Sequence, residues 1–456
     1  MKAALRALVV SYAFPPVGGA GVQRVLKLVK YLPAHGVTPT VLTVKNPSVP
    51  VRDSSLEREL PGNLEIVRAR TLEPGYAAKQ SARQAMTSAD QGLVRRARAG
   101  LVKLGTALLV PDPQVLWLPG AQGALVRRLS QRADDVVFIS GPPFSQFLLA
   151  PIARIAGGTA VVLDYRDEWR MASRTPASRF EALLERRLLR CAHAVTTATE
   201  AYRTELCARF AFLDPARVYP IPNGYDPDDF QRDLPVPSGD RFVLTYVGTI
   251  FPLTTPRFLL EAVRLLHARE PELAKILRLR FVGRIVEAEA HHFEGMEVLG
   301  IERVGYVDHE RAIDEVARGH AALCMLDATP GAERVYPAKI FEIMHMRKPC
   351  LVLAPDGALA DLVRRHEVGE VVGSRDPSAI ASSIERMLRA FRAGTAPRTT
   401  APIDVDRFDR RIQAGQFADV FREAVARAAG GTVHDVTLRG AGLDAPHTSR
   451  AAAGRT

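Results

Sequence analysis

With 456 residues the chain has room for two ordinary domains, because single cores rarely grow beyond roughly 250–300 residues. Its 47% hydrophobic and 24% charged content is that of a folded globular protein, and no run of 18 apolar residues offers a membrane span. The formal net charge of +11 fits an anionic partner (nucleic acid, membrane surface or phosphorylated substrate) or a merely arginine-rich composition.

Residues 1–6 run straight into a strand without a small-residue cleavage site, so no signal peptide is expected. Residues 4–10 read as a short buried strand ending at the turn Phe14-Pro15-Pro16-Val17-Gly18-Gly19-Ala20-Gly21. Beyond it Val22, Val25, Leu26, Val29 and Leu32 repeat at a helical period. Such a turn presents backbone N–H groups and the positive end of a helix dipole to a phosphate or sugar oxygen. It serves equally as a tight connection. Further strands are predicted at 38–44, 64–69, 136–140, 160–165, 194–197 and 218–221, with helices at 144–156 and 180–191.

Residues 77–110 stand apart. Lys79, Arg83, Arg95, Arg96, Arg98 and Lys103 alternate there with Leu93, Val94, Leu101, Leu104, Leu108 and Leu109. Such a segment lies on an anionic membrane or forms an ordinary helix pair with a basic solvated face. Residues 228–240, rich in aspartate and proline, read as the interdomain linker. The pattern then restarts, with strands at 242–248, 279–282, 298–305, 321–325 and 350–354 and a helix at 257–269. Phe408, Ile412, Phe417, Val420, Phe421 and Val425 form the apolar stripe of a last helix over 408–428, and residues 429–456 read as a disordered tail. Cys191, Cys207, Cys324 and Cys350 stand far apart without a CxxC pair, as thiols of a reducing cytoplasm do.

Alternating strands and helices imply parallel sheets covered on both faces. Two further motifs bear on chemistry. In Ile221-Pro222-Asn223-Gly224-Tyr225-Asp226 a strand end meets Asn-Gly, which suits a hinge because both residues tolerate left-handed backbone angles. In 335–349, Pro337 opens a helix that carries Lys339 and Glu342 at i,i+3. A cation and a carboxylate near a helix start suit a nucleoside diphosphate, lysine at phosphate and carboxylate at ribose. The bland alternative is a surface ion pair, worth little.

Taken in order, FPPVGGAGVQRVLKLVKYL, PDPQVLWLPGA, SGPPFS, LDYRDEW, IPNGYD, YVGT and PAKIFEIMHMRKP give the chain its family likeness. It resembles the retaining glycosyltransferases of the GT-B fold, family-4 type, up to about Ala428. The resemblance implies an α/β protein of two Rossmann-like domains facing each other across a cleft. Residues 1–225 would bind acceptor, 240–405 the nucleotide sugar, and a helix over 406–428 would return to the first domain. Gly18, Gly19 and Gly21 would line the donor phosphate or sugar, and Arg166 and Asp167 would point into the cleft, Asp167 positioning the acceptor. Gly248 and Thr249 would form the second domain's phosphate loop, Lys339 would face the diphosphate and Glu342 the ribose. Asn223 and Asp226 would sit at the hinge beside the donor. An arginine and a lysine usual in the family are here Thr249 and Thr254, so the charge at the diphosphate must come from Lys339, Arg257 or Arg284. Arg334 replaces a glutamate expected near the donor sugar and would add positive charge.

No cofactor or metal is expected beyond the nucleotide-diphosphate sugar. Asp134-Asp135 and Asp228-Asp229 sit in loop or linker, His291-His292 lacks partners at zinc spacing, and His345 reads as a packing residue. The acceptor would be a hydroxyl of a lipid-linked saccharide, polysaccharide precursor or secondary metabolite. Charge and the 77–110 segment favour peripheral contact with an anionic membrane at the cytoplasmic face. Dispersed arginines without interleaved aromatics argue against nucleic acid. Two other readings are a degenerate scaffold or partner protein and a nucleotide-sugar epimerase. The epimerase needs paired carboxylates and histidines that the sequence does not offer.

Overall fold

The computed structural model describes residues 4–87, 109–156, 158–172 and 179–430. Two parallel sheets organise it. The first carries β1 (Leu5–Val10), β2 (Val37–Val44), β3 (Glu65–Ala69), β4 (Val136–Gly141), β5 (Ala160–Tyr165), β6 (Ala194–Thr197) and β7 (Val218–Pro220), in the order β3-β2-β1-β4-β5-β6-β7. The second carries β8 (Phe242–Val247), β9 (Leu277–Val282), β10 (Ile301–Gly305), β11 (Ala321–Met325), β12 (Cys350–Leu353) and β13 (Gly369–Val372), in the order β10-β9-β8-β11-β12-β13. Within each sheet the strand order reverses beside the first strand. In open parallel sheets a ligand crevice forms at the carboxyl ends at that switch point. The glycine turn follows β1, and Gly248 follows β8.

The strands are continuous apolar runs because helices cover both faces. Val9 sits in register with Val41 on one side and Phe138 on the other, and all three are buried. At the end of β5, Asp164 is fully buried, yet it accepts from Arg24 at 2.8 and 3.1 Å, Ser140 at 2.6 Å and Thr196 at 2.7 Å. These donors hold the carboxyl below its usual range against the opposing cost of burial.

The last helix, Arg410–Ala428, packs against the first domain's Ala20–Tyr31 helix and on β5. Phe417 and Phe421 lie 5.5 and 5.3 Å from Phe138, and the Arg24 guanidinium stacks over Phe417. Ile412 departs from the expected stripe: it lies in the first turn and is exposed. The expected helix over 144–156 divides into a 3-10 stretch, Phe144–Leu149, and a helix, Ala150–Ile155, broken near Pro151. β10 begins later than expected because residues 297–299 form a 3-10 turn closed by left-handed Gly300. Of the basic 77–110 segment, Tyr76–Thr87 is helical and Lys79 pairs with Glu73; residues 88–108 lie outside the described residues, as do 431–456 of the expected tail.

Candidate functional site

Between the carboxyl ends of the two sheets lies a cavity of about 110 Å³. Gly19, Gln23 and Asp53 line it from the first domain, and Gly248, Thr249, Arg284, Tyr306, His309 and Lys339 from the second. The glycines have stated reasons to be there. Gly19 holds φ at +97°, and a Cβ on Gly18 would come within 2.7 Å of the Tyr306 hydroxyl of the opposite domain. Gly283, at φ +134°, lies so close under the Gly248 carbonyl that a Cβ would meet its oxygen at 2.1 Å. The two strand-end turns are thus trimmed to backbone where the domains face each other.

Lys339 and Glu342 occupy the first turn of the helix Lys339–His345, their charged atoms 2.8 Å apart and both largely shielded from solvent. Arg284 lines the cavity without a carboxylate partner among the described residues; its nearest polar contact is the Tyr76 hydroxyl at 3.5 Å. Arg257, by contrast, pairs with Glu261 along its own helix and does not line the cavity. The Thr254 hydroxyl donates to the Thr249 carbonyl at 2.8 Å, so this side chain staples the loop instead of supplying charge.

Arg166 follows β5 but turns under the glycine loop. Its guanidinium donates to the carbonyls of Gly21, Pro142 and Gly141, and burial lowers its pKa. This corrects the expectation that Arg166 points into the cleft: its donors are spent bracing two loops. The neighbouring Asp167 opens to solvent, while the protein mass around it pushes its carboxyl above the ordinary range and Arg166 pulls the other way. Arg334 also departs from expectation. It is held by both oxygens of Glu168 and by Glu333, so its charge is already neutralised. Gly18, Gly21, Asn223 and Glu342 are not among the residues that line the cavity. The Asn223 carbonyl accepts from Gln413 at 3.1 Å, where the last helix crosses back.

Asp226 is almost fully buried and binds Lys27, Lys30 and Tyr31 at 2.7, 2.8 and 2.5 Å. Glu59, Asp226 and Asp229 converge closely enough to hold a cation, but the Lys27 ammonium already sits among them. His345 stacks on Tyr225 at 4.0 Å. Sequence reasoning missed His309, Asp53 and Tyr306. The only signal for His309 was its place just after Asp308, whose side chain caps the helix it opens; nothing in spacing linked it to Lys339, thirty residues on.

Two families cover this architecture. Residues 18–224 match the Glycosyl transferase 4-like domain, and residues 241–390 match Glycosyl transferases group 1. The chain belongs to the glycosyltransferases of this type, with the GT-B fold. It is similar to D-inositol 3-phosphate glycosyltransferase of Salinispora tropica, with 30% identity over 240 residues, 47% of each chain. The chain spans about half the length of the curated relatives it matches. Among solved structures it resembles sucrose-phosphate synthase of Thermosynechococcus elongatus (17% identity, TM-score 0.60, covering 93% of this chain and 100% of that one). It also resembles Anabaena HepE, solved in complex with UDP and glucose (14% identity, TM-score 0.61, covering 92% and 99%).

Proposed function

We propose that this protein transfers a sugar from a nucleotide-diphosphate donor to a hydroxyl acceptor, with retention at the anomeric carbon. The observation that carries the reading is the interdomain cavity, with Gly19 on one wall and Gly248, Thr249, Arg284 and Lys339 on the other. Breaking the anomeric carbon–oxygen bond leaves negative charge on a diphosphate, and cations held in place beforehand stabilise that charge as it develops. Lys339 and Arg284 serve that role, and Glu342, paired with Lys339 at 2.8 Å, is the carboxylate for the ribose. Gly19 lines the opposite wall, in a turn kept close by Gly18, whose Cβ would meet the Tyr306 hydroxyl. Asp167, exposed at the end of β5 with its carboxyl raised, positions the acceptor hydroxyl.

The acceptor is a hydroxyl of a lipid-linked saccharide or of a phosphorylated cyclitol; the curated relatives carry D-inositol 3-phosphate in their names. No described helix is long and apolar enough to cross a membrane. A peripheral site at the cytoplasmic face of an anionic membrane is supported by one helix, Arg179–Leu189. There Glu181 and Glu185 are buried while Phe180 and Leu183 are exposed among Arg179, Arg186 and Arg187.

The test is release of nucleoside diphosphate from a panel of sugar nucleotides, with D-inositol 3-phosphate and lipid-linked saccharides as acceptors. Acceptor-dependent release with retained configuration supports the reading. Binding of a nucleotide without turnover points to a degenerate scaffold, and an absence of binding to every nucleotide overturns both.

A further inference from the structure

Lys339 does not stand on Glu342 alone. Its Nζ also lies 3.2 Å from Nδ1 of His309, the first residue of the helix His309–Arg318. An ammonium only donates, so this Nδ1 presents its lone pair and the imidazole proton sits on Nε2. Nε2 is 3.2 Å from Oδ2 of Asp229 in the turn Pro227–Phe230 that joins the domains. Asp229 Oδ1 accepts in turn from Lys27 at 2.7 Å. Lys27 is a buried ammonium of the first domain's Ala20–Tyr31 helix, the one that opens at the glycine turn.

We infer that His309 is a positioning residue: Asp229 fixes its tautomer, and its Nδ1 lone pair aims the Lys339 ammonium at an anionic ligand in the cleft. The inference rests on the reading that this cavity receives a nucleoside diphosphate. Two of the three ammonium protons go to Glu342 and His309, which leaves one for the ligand. With the Asp229 contact gone, the ring is free to place its proton on Nδ1, against the ammonium. Lys339 then collapses onto Glu342. The array Lys27–Asp229–His309–Lys339 also ties the donor side of the cleft to the linker and to the first domain's leading helix. A ligand that engages Lys339 therefore acts on the joint between the domains.

The experiment is a double-mutant cycle on the full chain, read as calorimetric dissociation constants for UDP, GDP and ADP. The variants are His309→Phe, which keeps a flat ring without the acceptor, His309→Asn, which restores an acceptor near Nδ1, and Lys339→Ala. For whichever diphosphate binds the parent, His309→Phe is expected to weaken binding about tenfold, the scale of one hydrogen bond to a charged group. His309→Asn should recover most of that loss. In the Lys339→Ala background, His309→Phe should change nothing further. A purely structural histidine would cost as much in that background as in the parent, and that result overturns the inference; so does parent-like binding by His309→Phe. If His309→Phe fails to fold, His309→Ala takes its place in the cycle. Failure of all three diphosphates to bind the parent instead overturns the reading of the cavity, and this inference with it.

Discussion

Arg334 of the second domain reaches across the cleft to Glu168 of the first and takes both its carboxylate oxygens, Nε at 2.5 Å and Nη2 at 2.9 Å. Beside it the Thr199 hydroxyl donates to the Arg334 carbonyl at 2.7 Å. The Glu168 side chain is nearly buried and Arg334 is 23% exposed, so the pair sits between a surface ion pair and a core one. Burial raises the Glu168 carboxyl and Arg334 opposes that shift. Arg334→Met therefore leaves a carboxyl that takes up a proton more readily, and costs about 1–2 kcal/mol, measured as a fall in melting temperature. Small-angle scattering of the same variant should show a larger radius of gyration, because the cross-cleft clasp is gone. Unchanged dimensions and melting would mean the pair holds nothing shut.

Lys339→Ala and Glu342→Ala should each weaken nucleoside diphosphate binding about 10–100-fold by calorimetry, since each removes a charged contact in a shielded site. Thr254→Ala should act differently. It loosens the loop that carries Thr249 and lowers thermal stability by about 1 kcal/mol, the ordinary size of a lost hydrogen bond.

His193 supplies a pH prediction. It is buried, its Nδ1 accepts from the Val161 amide at 2.9 Å, and its Nε2 has no partner among the described residues. Burial, reinforced by Arg154, Arg217 and Arg427, pushes its pKa down to about 4. The unfolded chain takes up the proton first as pH falls, so the contribution is complete above about pH 6.5 and is lost progressively down to about pH 4. At most about 3 kcal/mol disappears over that window. His193→Asn keeps an acceptor for the Val161 amide, and its stability should vary less between pH 7 and 4 than that of the parent. Parallel stability–pH curves for the two proteins would refute this.

Gly224→Ala should be among the most damaging single substitutions. A Cβ there would lie 2.0 Å from the Phe408 carbonyl oxygen and 2.7 Å from the Gln413 amide nitrogen, backbone and side chain of the returning segment. Such overpacking costs about 1–3 kcal/mol or more. Denaturant unfolding should show the loss, and proteolysis should release the last helix first.

The strand pattern was legible as short apolar or β-branched runs set between helical segments, and β5, β6 and β11 match residue for residue. β13 escaped because Gly369-Glu370-Val371-Val372 is short, edge-placed and half polar, without a run to mark it. The site was half legible. Gly19 and Lys339, named from turn and helix-start chemistry, and Gly248 and Thr249, named from the family resemblance, line the interdomain cavity. Arg166 and Arg334 were misjudged because sequence shows that a cation is present but not which carbonyl or carboxylate consumes it. His309 and Asp229 were invisible as a pair, since only folding brings residues eighty apart to hydrogen-bond distance.

The polypeptide passes between the lobes twice, and the two passages run side by side. The Tyr225 amide donates to the Phe408 carbonyl at 3.0 Å, and the Arg410 amide donates to the Tyr225 carbonyl at 2.9 Å. Opening and closing must then swivel about a paired ribbon, which permits rotation but resists sliding or twisting apart. The first lobe is not one uninterrupted stretch of chain, because its outer helix is Arg410–Ala428. A fragment ending near residue 230 would leave Phe138 bare where Phe417 and Phe421 belong, so dissecting the molecule into working halves requires grafting the terminal helix onto the front portion.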